Sequence, residues 1–165
     1  MMADSVRPTL ESVETPAGVV DLSRAKANAE RVVAYCGEHG LSWRPHVKTH
    51  KCTSLARIQL EAGARGLTVA TPREAEVMAT VCDDLLLAYP LIGDSKLDRV
   101  MALPERVRLS VGLDSEAALR ATVAAAARAD RTVAVLVEVD FGMRRVGLET
   151  PDEAVRLARL VQELD

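Results

Sequence analysis

The sequence predicts an α/β chain built on a parallel sheet, and three observations carry that reading. Short apolar runs alternate with stretches of helical periodicity from one end of the chain to the other. The intervals between the runs are long enough for crossover helices, which makes the β/α units right-handed and the strands parallel. The apolar residues are mainly Val, Leu, Ala and Ile, with aromatic residues only 2% of the total, as expected where helices pack on a parallel sheet.

In order along the chain, GVVDL (18–22) reads as a short strand. A helix follows from about Ser23 to His39, and Gly40 is suited to stop it. SWRPHV (42–47) is a second strand, and TSLARIQLEAG (53–63) repeats apolar residues at helical spacing until Gly63. GLTVA (66–70) is a strand, after which TPRE (71–74) opens a helix. There Thr71 can cap, Pro72 takes the first helical position and Glu74 the capping-box position. Strand DLLLAYP (84–90), helix 94–103, strand RVRLSVGL (106–113), helix 114–129 and strand TVAVLVEVD (132–140) follow. TPDE (150–153) repeats the capping device and opens the last helix, about 151–164.

Counted from SWRPHV, these are five successive β/α units. Two architectures accommodate them. One is a complete five-stranded doubly wound, flavodoxin-like sheet. The other is a partial (β/α)8 TIM-type barrel, a fold that typically needs about 250 residues.

Composition narrows the function classes. A net charge of −3 over 165 residues gives no electrostatic reason to expect nucleic acid or an anionic membrane as partner. No apolar run approaches the length of a membrane span, and MMADSVRPTLES lacks the apolar core of a secretory signal. Cys36, Cys52 and Cys82 are odd in number and widely spaced, which argues against a disulfide framework or a structural metal site. The expectation is a cytoplasmic protein.

Chemistry concentrates in WRPHVKTHK (43–51), which holds two of the three histidines. Strand alternation puts Trp43, Pro45 and Val47 on one face and Arg44, His46 and Lys48 on the other. Lys48 then stands at the C-terminal end of the strand, where both candidate folds bind ligands. Alternation in VLVEVD likewise puts Glu138 and Asp140 on one face, rising toward the same rim. A basic and an acidic face enclosed together would pair, since unpartnered buried charge is costly. Like charges around Lys48 would disfavour its ammonium, and a neutral lysine is a nucleophile for carbonyls. A plain anion-binding pocket is the competing reading. Tyr89, at the end of DLLLAYP, is a further pocket-lining candidate.

The octapeptide RPHVKTHK (44–51) resembles the cofactor-lysine motif of the D-threonine aldolase and D-serine dehydratase family. That family belongs to the alanine-racemase-like, fold-type III pyridoxal phosphate enzymes. TPAGVVDL (15–22), ATPREAEVMA (70–79), DDLLLAYPLIG (83–93) and VEVDFGMRRVGL (137–148) resemble it in the same order. The resemblance implies pyridoxal 5'-phosphate as cofactor and Lys48 as the internal-aldimine lysine. His46, His50, Glu138 and Tyr89 are the other expected cofactor-site residues, with Arg145 in GMRRVG (142–147) beside the cofactor and Glu138 orienting either Arg145 or the basic strand. Arg144 stands where family members usually have glycine.

By the same resemblance the full-length protein would be a lyase acting on a small D-β-hydroxy amino acid, and a homodimer. Alternatives are an amino-acid racemase of the same superfamily or a non-catalytic cofactor-binding protein. Residues 1–165 would be the N-terminal part of the barrel, inactive alone. The later barrel units and a C-terminal β-domain carrying a divalent-metal site would lie elsewhere, so no metal ligands are expected here.

Overall fold

The computed structural model describes residues 9–164. Its centre is a four-stranded parallel sheet of β1 (Leu67–Val69), β2 (Asp84–Leu87), β3 (Arg108–Leu113) and β4 (Ala134–Val137), in that spatial order. Helices α1 (Leu22–Glu38) and α2 (Thr53–Glu61) precede the sheet. Helices α3 (Pro72–Met78), α4 (Asp94–Met101), α5 (Glu116–Arg128) and α6 (Pro151–Glu163) each follow a strand.

Two features decide between the architectures. The strands lie in sequence order with no reversal, so there is no switch point of the doubly wound kind. Among the described residues the sheet is also covered by helices on one face only. Leu85, Leu87, Leu109, Val111 and Leu113 are buried in one cluster with Leu97 and Val100 of α4, Leu119 of α5 and Leu157 of α6. The opposite face carries the row Thr68, Leu86, Ser110 and Ala134, set side by side by the register. That row opens toward its β4 end, where Leu136 is 46% exposed. A sheet in sequential order with helices on one side is a sector of a (β/α)8 barrel, and its open face is the barrel interior.

Two expected strands are altered. Segment 42–47 keeps only one bridge to the sheet, His46 to Thr68. The Trp43 and Pro45 carbonyls accept from Arg65 and Thr68 N–H, both at 2.8 Å, but Pro45 has no N–H to give back. The chain therefore runs along β1 without a full ladder. Residues 18–21 form no strand; the Asp21 side chain instead caps α1 through Arg24 N–H, and Val19 and Val20 are exposed.

Both predicted caps form, in different ways. Thr150 and Glu153 make a reciprocal capping box. Thr71 accepts from Glu74 N–H, but the Glu74 carboxylate reaches one residue further back to Ala70 N–H at 2.8 Å.

At the N-terminal end of the strands, Arg44 meets the Asp84 carboxylate at 2.7 Å, and Arg108 meets its other oxygen at 3.0 Å. A Cβ on Gly66 would strike the Arg44 guanidinium and the Asp84 carbonyl oxygen, so only glycine fits beneath this network. The basic strand face is thus not matched to Glu138 and Asp140. Its arginine pairs at the end of the sheet opposite Lys48.

Candidate functional site

Lys48 lies on a single 3-10 turn, Val47–Thr49, directly after the segment that runs along β1. Val47 is fully buried and fixes the turn to the core. The His50 and Lys51 N–H groups both close onto the Val47 carbonyl, at 3.2 and 2.8 Å. His46 caps the start, its Nδ1 accepting from Lys48 N–H at 3.4 Å. The Lys48 side chain is exposed at the C-terminal rim and makes no salt bridge among the described residues.

The rest of the octapeptide separates by direction. Burial holds the His46 imidazole below the usual histidine value; Lys48 adds to the shift, while Glu74 and the Thr68 backbone oppose it. A neutral His46 is the form that can accept from Lys48 N–H. His50 engages α2: its Nδ1 accepts from Cys52 N–H at 3.1 Å and its Nε2 lies 3.3 Å from Gln59 Oε1. That leaves Nε2 as the protonated nitrogen. Lys51 pairs with Glu74 at 3.2 Å. The charges around Lys48 are therefore largely neutralised one by one.

Across the sheet, Glu138 continues the line of β4, its N–H bonded to the Leu113 carbonyl at 2.8 Å. Its carboxylate lies over Gly112, and its Oε2 is buried without a hydrogen-bond partner among the described residues. Burial pushes the carboxyl up, the charge of Asp114 pushes it further, and Arg145 opposes both. The loop after β4 turns on Asp140, whose two carboxylate oxygens accept from Gly142 and Arg144 N–H, each at 2.8 Å. Arg144 adopts φ +51, the left-handed region that glycine would occupy at lower cost. Arg145 is exposed in an open cleft of about 680 Å³ lined also by Asp114, Asp140, Gly147 and Glu149. Tyr89 follows β2 at the same end of the sheet and is 55% exposed.

The C-terminal ends of the strands thus carry Lys48 and His46, Tyr89, Glu138 and Arg145. Asp114 joins them unannounced: it directly follows β3, accepts from Gly147 N–H at 3.1 Å and sets part of the field at Glu138. Its place directly after VGL, at the C-terminal end of a barrel strand, is the signal that points to it. Among the described residues, no three His, Cys, Asp or Glu side chains gather in a metal-holding arrangement. No helix there is long and apolar enough to cross a membrane.

A sector of a β/α barrel with a lysine and an arginine on its C-terminal rim defines the class. Within it, the chain belongs to the family of the alanine racemase N-terminal domain, matched over residues 20–165. It is 34% identical to D-threonine aldolase of Arthrobacter sp over 157 residues, 94% of this chain and 41% of that protein. It is also 34% identical to D-threo-3-hydroxyaspartate dehydratase of Delftia sp. (strain HT23), over 93% of this chain and 40% of that one. The crystal structure of D-threonine aldolase from Filomicrobium marinum superposes with a TM-score of 0.90 at 34% identity, covering 94% of this chain and 42% of that one. The chain spans about two fifths of the length of these relatives.

Proposed function

We propose that residues 1–165 are the cofactor-binding N-terminal part of a pyridoxal 5'-phosphate-dependent lyase acting on a small D-β-hydroxy amino acid. The reaction type would be that of a D-threonine aldolase or a D-serine dehydratase. The observation that carries the reading is Lys48: an exposed amine at the C-terminal rim of a parallel barrel sheet, with no salt bridge among the described residues. The names of the relatives support the substrate class.

The residues present fit the cofactor. Lys48 offers the amine that would hold it, and exposed Arg145 offers a guanidinium on the opposite side of the rim. Glu138 Oε2, buried without a donor, is an acceptor that nothing among the described residues uses. When bound, pyridoxal phosphate supplies an electron sink for bond cleavage at the amino-acid carbons.

The chain's own residues then have separable tasks. His46, neutral, holds the Lys48 turn by accepting its N–H. Glu138 and Asp114 provide negative potential beside Arg145, so that the guanidinium is held over the rim. Asp140 fixes the loop backbone from which Arg145 projects. Tyr89 would line the pocket from β2, and His50 would act through its contact with α2.

Reductive trapping tests the reading. The chain is incubated with pyridoxal phosphate, reduced with borohydride and mapped by peptide. Label on Lys48 is expected; label on Lys51 in its place overturns the assignment. Product analysis of the longer protein with D-threonine and D-serine then separates glycine plus acetaldehyde from 2-oxo acid plus ammonia. Formation of the L-enantiomer alone would favour a racemase.

A further inference from the structure

The octapeptide contains two lysines three residues apart, and their surroundings differ. Lys51 lies at φ +49, a left-handed conformation unusual for a side-chain-bearing residue. Its Nζ reaches in from a side chain that is 64% exposed and meets Glu74 Oε1 at 3.2 Å, while the Glu74 side chain is only 7% exposed. The other Glu74 oxygen accepts from Ala70 N–H at 2.8 Å. Glu74 is therefore a buried carboxylate with one oxygen on a fixed backbone donor and the other on the Lys51 ammonium. Ala70 N–H follows directly after β1, and Glu74 itself sits in the first turn of α3. Lys51 N–H, meanwhile, closes onto the carbonyl of fully buried Val47.

Lys48 is thus held between two anchored points. Val47 on one side is locked in the core; Lys51 on the other is locked to a carboxylate that the β1–α3 junction holds rigidly. A backbone kept in a sparsely populated region persists when its surroundings over-determine it, and such residues cluster at functional sites. We propose that Lys51 and Glu74 form a strut that positions Lys48, so that the second lysine of the octapeptide is a positioning residue and not an alternative nucleophile. This rests on the reading of Lys48 as the cofactor-holding residue. The ion pair fixes the direction in which the turn presents the Lys48 amine. It also engages the Lys51 ammonium, so that Lys51 competes less well for an aldehyde than Lys48, which has no salt bridge among the described residues.

Competitive trapping in the 165-residue chain tests this without any need for turnover. The chain's lysines are Lys26, Lys48, Lys51 and Lys96. Lys26, which pairs with Glu30 on α1, and exposed Lys96 serve as internal references. Each variant is incubated with limiting pyridoxal phosphate, reduced with borohydride and mapped. In the unaltered chain Lys48 should take most of the label. In Lys51→Met its share relative to Lys26 and Lys96 should fall about tenfold, the scale of a modest loss of orientation. Lys51→Arg, which keeps the ion pair, should restore it.

Lys51→Met alone leaves Glu74 a buried carboxylate short of a partner, and part of its effect could be unfolding. The double variant Glu74→Gln/Lys51→Met removes both charges and should recover thermal stability while the Lys48 share stays low. An unchanged Lys48 share in Lys51→Met, or its return in the double variant, overturns the strut while leaving the cofactor assignment intact. Absence of label from Lys48 in the unaltered chain overturns both.

Discussion

Glu138 brings a carboxylate to a position where one of its oxygens finds no donor among the described residues, above Gly112 and within the field of Asp114. Its folded-state value lies above the ordinary 4.5, so the folded protein binds more protons than the unfolded chain just above that pH. The stability Glu138 contributes is complete below 4.5 and is lost as pH rises through the raised value. Glu138→Gln should therefore have a higher urea midpoint than the parent at pH 7, the difference shrinking as pH falls through the raised value toward 4.5. If Glu138 orients Arg145, the same variant should bind pyridoxal phosphate more weakly by fluorescence titration. Higher stability with unchanged affinity would assign Glu138 no part in the site. His46 titrates with the opposite sign. Its value is lowered from 6.5, so its contribution is complete above 6.5 and is lost as pH falls toward the folded value. Urea midpoints between pH 7 and pH 5 should drop less in His46→Gln than in the parent. At this scale the sequence was informative about which residues reach the rim, because strand parity and strand-end position are local properties. It was silent about their partners. Alternation puts Arg44 and Lys48 on one face, yet Lys48 lies on a 3-10 turn and Arg44 pairs with Asp84, forty residues away at the other end of the sheet.

Among the elements, helix starts were the most legible because a cap is written in consecutive residues. Thr71 and Thr150 both cap as their TPRE and TPDE sequences predict, and the two differ only in where the glutamate reaches. Thr150→Ala should lower stability by about 1 kcal/mol, measured by urea unfolding, since it removes the acceptor for Glu153 N–H and breaks the reciprocal box. Strands were less legible, because a strand exists only through its neighbour. Residues 18–22 have strand composition, yet among the described residues nothing pairs with 18–21, and Asp21 spends its side chain on capping α1. Segment 42–47 has a neighbour in β1, but Pro45 removes the donor that a ladder needs at that point. The result serves the site: freed from a regular ladder, the chain can tighten into the 3-10 turn that carries Lys48.

For the whole molecule, the choice between a doubly wound sheet and a barrel was not available from periodicity, because both are built from the same β/α unit. What separates them is spatial order, and the order here is sequential with helices on one face. Nothing local encodes that order, but the ion network at the N-terminal end of the strands reports it. Asp84 begins β2 and joins Arg44, ahead of β1, to Arg108 at the start of β3, so one carboxylate ties together three successive parts of the curved sheet. The two contacts are unequal. The side chains of Arg44 and Asp84 are 22% and 12% exposed, whereas that of Arg108 is 76% exposed. Solvent screens the exposed pair, and its loss should be worth well under 1 kcal/mol. Asp84→Asn removes the negative charge beside the enclosed Arg44 guanidinium and leaves it only neutral carbonyl acceptors, which should cost about 2 kcal/mol, less than for a fully buried pair. Arg108→Ala should therefore leave the urea midpoint nearly unchanged while Asp84→Asn lowers it clearly. Hydrogen exchange should show where that loss falls: if Asp84 holds segment 43–46 against the sheet, the Arg65 and Thr68 amides that bond to it should exchange faster in Asp84→Asn, with β3 and β4 little affected. Uniform loss of protection across all strands would mean that Asp84 contributes to global stability without tying the segment that carries Lys48.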